Sequence, residues 1–254
     1  MERGEVILDV QGVSKAFNDF MALKDVTLRL RKGEFSALIG PNGAGKTTLY
    51  NVISGKFRPT QGKVIFLGRE IQGLPPHRLV ELGLSRSFQI TNIFLGLSVE
   101  ENLLSALIAY HHRGRSLLRS LQSHKDLYDE ASSLLSQLGL LEKKDILVRN
   151  LSYGDKRLVE VGLALASRPK LLLLDEPTAG MNPEETERMI SLLRRLSEEM
   201  ETTFFLTEHD MKVVFSVADR IFVLHQGELL AEGTPEEIRE NEKVREAYLG
   251  GAIA

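Results

Sequence analysis

The segment Gly40-Pro41-Asn42-Gly43-Ala44-Gly45-Lys46-Thr47-Thr48 has the spacing G-x-x-x-x-G-K-[ST]. Glycines at these intervals let successive backbone N–H groups turn inward on an anion, and a helix starting directly after them adds its positive end. The pattern predicts a cradle for nucleotide phosphates. Lys46 should reach the β- and γ-phosphates, and the Thr47 hydroxyl should ligate Mg2+. A glycine-rich turn with no ligand is the alternative. The segment lies between a predicted strand, Phe35–Ile39, and a predicted helix from about Lys46 to Ser54, as the cradle requires.

Leu171-Leu172-Leu173-Leu174 runs straight into Asp175-Glu176-Pro177. Four leucines without alternation predict a strand buried on both faces. An acid at its end stands at the carboxyl edge of an α/β sheet, where ligands bind. Asp175 can then hold Mg2+ through water, and Glu176 can polarise an attacking water. A plain acidic turn is the competing reading. Leu151-Ser152-Tyr153-Gly154-Asp155 opens a predicted helix. Ser152 offers a hydroxyl, Gly154 permits close backbone approach, and the helix end favours an anion. Seen alone, this would be an ordinary N-cap.

In this order the motifs resemble those of the ATP-binding subunits of ATP-binding-cassette transporters, over essentially the whole chain. Leu151–Asp155 is similar to that family's signature motif, with Tyr153 and Asp155 where the commonest form has glycine and glutamine. The resemblance implies that Ser152, Tyr153 and Gly154 contact a partner chain's nucleotide. Gln89, in Ser87-Phe88-Gln89, matches the Q-loop glutamine, which touches Mg2+ and senses the membrane subunit. His209, in Thr207-Glu208-His209-Asp210, matches the switch histidine on the γ-phosphate, and Phe17 the aromatic residue that stacks on adenine. Singly, such a glutamine reads as surface, such a histidine as structural and such a phenylalanine as core. Asn182 stands where the family usually has an aspartate that signals across the dimer, and it also fits a helix N-cap.

Finer wording narrows the type. Gly83–Gln89, Leu151–Gly154, Ala179–Pro183 and Ala247–Gly250 look like the branched-chain, or hydrophobic, amino-acid uptake subfamily. Urea and amide importers share much of it. The resemblance implies an ATP hydrolase using ATP and Mg2+, with Glu176, His209 and Lys46 catalytic. It implies a head-to-tail pair with an identical or paralogous chain. It also implies integral membrane permease subunits, a periplasmic or extracellular solute-binding protein, and a cytoplasmic position against the membrane.

The elements that must position these residues are α/β. The expected fold is a P-loop NTPase (RecA-like) core with an antiparallel β subdomain and a helical insertion. One domain would span 1–254, with core at 1–89 and 166–254 and the insertion at 90–165. Val26, Leu28 and Leu30 alternate with polar residues, and Arg31–Glu34 then turns the chain, which reads as a hairpin feeding Phe35–Ile39. Ser98-Val99-Glu100-Glu101 is a capping box opening a helix through about Tyr110, and Leu127–Leu138 carries a second helical stripe. Asn182-Pro183 and Thr234-Pro235 open two more helices. The apolar stretch Ile90, Ile93, Phe94, Leu95 and Leu97 reads either as a docking groove for the membrane subunit or as core.

Composition sets the outer limits. With 254 residues the chain can bury a core unaided. No cysteine excludes thiolate catalysis and Cys-ligated zinc. A net charge of −3 argues against a nucleic-acid binder. No apolar run approaches the length of a membrane span, and the opening residues lack the pattern of a secretory leader. A soluble regulatory ATPase of the same superfamily would carry coiled-coil insertions or two cassettes, and a GTPase would carry an Asn-Lys-x-Asp element. Neither is present.

Overall fold

The structure, a computed structural model, describes residues 4–87, 93–113 and 125–248. Strands β1 (Val6–Phe17) and β2 (Phe20–Arg31) form a long antiparallel hairpin with Phe17 opposite Phe20. Asn18 takes the left-handed conformation at its turn, φ 49°, which asparagine tolerates. β3 (Phe35–Ile39) follows. The expected hairpin into β3 does not form, because β3 leaves this sheet and pairs in parallel elsewhere. The reason is burial. β2 alternates buried and exposed residues and needs one packed face, whereas every residue of β3 is buried. The turn at residues 32–34 therefore crosses between two sheets.

Further along come α1 (Lys46–Ile53), β4 (Gln61–Phe66), β5 (Arg69–Glu70), α2 (Pro76–Leu82) and β6 (Leu84–Ser87). Three helices follow: α3 (Val99–Tyr110), α4 (Lys125–Leu138) and α5 (Tyr153–Leu165). α3 starts at the Ser98 capping box, as expected. The last third runs β7 (Leu171–Asp175), α6 (Pro183–Glu199), β8 (Thr203–Thr207), α7 (Met211–Val217), β9 (Arg220–His225) and β10 (Glu228–Gly233). It closes with α8 (Pro235–Glu240) and α9 (Glu242–Tyr248). Among the described residues, no helix is long and apolar enough to cross a membrane.

Two sheets result. One is antiparallel, in the order β2-β1-β4-β5; the other runs β10-β9-β3-β8-β7-β6 and is parallel except for β10. The side-chain period of two divides the large sheet's residues between two cores. Leu172, Leu174, Phe204 and Leu206 face one core with residues of α3, α4, α5 and α6. Leu171, Leu173, Phe205 and Leu84 face the other, with α1 and the antiparallel sheet. Strand register brings the carboxyl ends of β3, β6, β7 and β8 to one edge, with Asp175 opposite Thr207 and Leu38 also opposite Thr207.

Candidate nucleotide site

The alternation that builds the second core also aims the site. Asp175 follows Leu171 and Leu173 in phase, Thr207 follows Phe205, and Arg86 follows Leu84. All three side chains therefore fall on the α1 side of the sheet edge. There Thr207 Oγ1 donates to Asp175 Oδ1 at 2.7 Å, and Arg86 Nη2 donates to Asp175 Oδ2 at 2.6 Å. Arg86 Nη1 donates to Asn51 Oδ1 at 2.7 Å and Ser54 Oγ at 3.2 Å, both on α1 or its end. Both partners of the Arg86–Asp175 pair are buried, with side chains 9% and 3% exposed. Arg86 and Thr207 escaped the sequence reading. A charged residue inside the short strand β6 was the signal, since a buried cation needs a partner.

The glycine-rich loop runs from the end of β3 into α1. Gly45 has φ 105°, and a Cβ there would meet the Ala22 carbonyl oxygen at 2.8 Å, so only glycine fits. Lys46 is buried, and its ammonium donates to the Gly40 and Pro41 carbonyls at 2.5 and 3.1 Å. Burial lowers its pKa, while the carboxylates of Glu176 and Asp175 work in the opposite direction. Asn42, Gly43 and Thr47 are exposed, and Ala44 is buried.

Glu176 breaks the strand geometry. Its φ of 48° is left-handed, uncommon for a residue with a side chain and a mark of strain at functional sites. It brings Oε1 within 2.7 Å of His209 Nε2. The acid and the histidine singled out from the sequence thus meet directly. Glu208, which the sequence reading passed over, braces them. Its buried carboxylate accepts from Thr178 N–H at 2.9 Å, from the Thr178 hydroxyl at 2.5 Å and from His209 N–H at 3.1 Å. One side chain therefore ties the loop after Glu176 to the loop carrying His209.

Phe17 ends β1, is partly exposed, and stands edge-on to Phe57 with ring centroids 5.2 Å apart. The Lys15 ammonium is 5.0 Å from its centroid. Ser152 caps α5 by accepting from Asp155 N–H at 3.1 Å. Among the described residues, no hydrogen bond or ion pair joins Ser152, Tyr153 or Gly154 to residues 40–48. Asn182 caps α6 through Glu185 N–H at 2.9 Å. Gln89 and Ile90 lie outside the described residues. Of the apolar stretch after them, Ile93 is core, while Phe94 and Leu95 are 57% and 49% exposed.

A family model described as "ABC transporter" matches residues 23–179, and one described as "Branched-chain amino acid ATP-binding cassette transporter" matches residues 228–254. The chain is 41% identical over 254 residues to the high-affinity branched-chain amino acid transport ATP-binding protein LivG of Salmonella typhimurium, spanning 97% of this chain and 98% of that one. It is 39% identical over 253 residues to the high-affinity branched-chain amino acid transport ATP-binding protein BraF of Pseudomonas aeruginosa, with the same coverage. Among solved structures, MJ1267, an ATP-binding cassette of an ABC transporter, matches with a TM-score of 0.85 at 32% identity, over 96% of this chain and 98% of that chain. A dimeric post-hydrolysis state of the cassette MJ0796, bound to ADP and Pi, matches at 0.74 and 26% identity, over 90% and 98%.

Proposed function

We infer the function from one premise: the chain belongs to the ABC transporter family. It is an ATP-hydrolysing subunit of that family, and we propose that it powers the uptake of branched-chain or other hydrophobic amino acids. The likeness to LivG and BraF over nearly the full chain supports that solute. The observation that carries the reaction is the hydrogen-bonded Glu176–His209 pair directly after Asp175, at the end of β7.

In this reading Glu176 Oε1 accepts a proton from water as the water oxygen bonds to the γ-phosphorus. The bond from that phosphorus to the bridging oxygen breaks, and ADP and phosphate leave. His209 Nε2 holds the Glu176 carboxylate in place, and the resemblance assigns this histidine to the γ-phosphate once ATP is bound. Lys46 exchanges its bonds to the loop carbonyls for phosphate oxygens. Residues Gly40–Thr48 wrap the phosphates, and Phe17 offers a face to adenine. The donor set supports Mg2+, a cation held by few protein oxygens and several phosphate oxygens. Thr47 would bind it directly. Both oxygens of Asp175 already accept hydrogen bonds, which suits contact through water. When bound, Mg2+ supplies neutralising charge at the β- and γ-phosphates. Gln89 is assigned to the same cation by resemblance.

Ser152, Tyr153 and Gly154 would complete the site of a second cassette chain, identical or paralogous, in a head-to-tail pair. The dimeric MJ0796 cassette supports such pairing. The helical segment 90–165 would carry closure to integral permease subunits, with Phe94 and Leu95 docking there on the cytoplasmic side. A solute-binding protein outside the membrane would deliver the substrate. The reaction is tested with Glu176→Gln. This variant should keep nucleotide affinity while steady-state hydrolysis falls about 100-fold or more. Hydrolysis near the wild-type rate contradicts the assigned role.

A further inference from the structure

The loop after Glu176 and the start of α5 are joined by one carboxylate. Glu185 Oε1 accepts from Gly154 N–H at 3.2 Å, and Glu185 Oε2 accepts from Asn182 N–H at 3.2 Å. A Cβ at Gly154 would lie 2.8 Å from Glu185 Oε1, so the approach depends on glycine. The same two segments also pack directly: a Cβ at Gly180 would lie 3.3 Å from the Tyr153 ring. Asp155, next in line, pairs with Lys143 and, at 3.7 Å, with Arg188. Tyr153, Asp155 and Asn182, the three positions where the chain departs from the family's commonest wording, thus share one cluster.

The helix cap alone does not require this arrangement. The capping box at Asn182 uses only Oε2 and the Glu185 N–H. Oε1 is directed at another element, onto an N–H in the first turn of a 13-residue helix. Asp155 N–H in that turn is already taken by Ser152 Oγ. A helix start attracts any anion, and one N–H cannot serve two full acceptors at once.

We propose that the Glu185 carboxylate is an internal anion that competes with the γ-phosphate held by a second copy of this chain for the Gly154 N–H. Glu185 thereby limits how tightly ATP draws two chains together, and it ties that limit to the loop that follows Glu176. The proposal rests on the head-to-tail pairing proposed above. It predicts a dependence on the γ-phosphate, which ADP lacks.

The test uses the full chain carrying Glu176→Gln, with ATP added and the dimer dissociation constant measured by sedimentation. Adding Glu185→Gln keeps an oxygen for the Asn182 cap and removes the charge. The dimer constant in ATP should fall about tenfold, the size expected when a helix-end charge is removed at each of two sites. Binding of a fluorescent ADP analogue by the monomer should not change. Glu185→Ala should shift the dimer constant in the same direction. Dimerisation that is unchanged or weaker in both variants overturns the proposal. A Glu176→Gln reference that stays monomeric in ATP overturns the pairing reading itself, and this proposal with it.

Discussion

Arg86 brings a full positive charge into a site that the strand pattern reserves for burial, and Asp175 is what makes it tolerable. Removing one member of a buried, hydrogen-bonded pair leaves the other charge uncompensated and costs about 3–5 kcal/mol. Arg86→Met should therefore destabilise the chain by about that amount in denaturant unfolding. Asp175→Asn should recover part of the loss when added, because the two changes remove a single interaction. Additive losses in the double variant would show that the pair is not coupled. In the proposed mechanism the pair fixes the Asp175 carboxylate before any cation arrives. Thr207 holds one oxygen and Arg86 the other, so the acid cannot rotate toward a phosphate.

Among the elements, two candidate site segments follow β strands as turns, and a third opens a helix. The phosphate loop and the β7 end were legible in the sequence because their signals are local. Gly40–Thr48 contains its own spacing, and four leucines before an acid declare a buried strand with a carboxylate at its edge. The Asn182 cap was legible for the same reason, and the structure makes it a full capping box. Asn182→Ala should cost about 1 kcal/mol of stability, whereas Asn182→Asp, which caps equally well, should cost almost nothing. Equal losses in thermal unfolding for both would count against the cap. The Arg86–Asp175 pair was not legible. Its members are 89 residues apart and meet only because β6 lies beside β7, an order that no local pattern encodes. The misread turn at residues 32–34 has the same origin. Turn chemistry says that the chain reverses, but not which sheet receives the next strand. The helices α2 and α7, seven residues each, were too short to show a helical period.

For the whole molecule, the layering separates two tasks. The parallel sheet carries the candidate nucleotide site at one edge, and the helices α3 to α5 cover its other core and carry the segment that resembles the signature motif. Phe94 and Leu95 stand exposed where the chain enters this helical layer. The backbone there is braced, with Val148 N–H donating to Leu97 at 3.0 Å and Arg149 N–H to Leu95 at 3.2 Å. Exposed apolar side chains on a hydrogen-bonded backbone suit docking to another protein. Phe94→Asp should abolish co-purification with the permease subunits while the isolated chain still binds nucleotide. Unchanged co-purification would return these side chains to an ordinary surface role. In the proposed function, hydrolysis at Glu176 drives amino-acid uptake. It is tested most directly in proteoliposomes containing the permease subunits, this chain with its partner cassette, and the solute-binding protein. ATP inside the assembly should drive accumulation of labelled leucine, with urea failing to compete and Glu176→Gln reducing uptake to background. Leucine uptake that persists with Glu176→Gln would remove Glu176 from the driving reaction, and accumulation of urea in place of leucine would overturn the proposed solute.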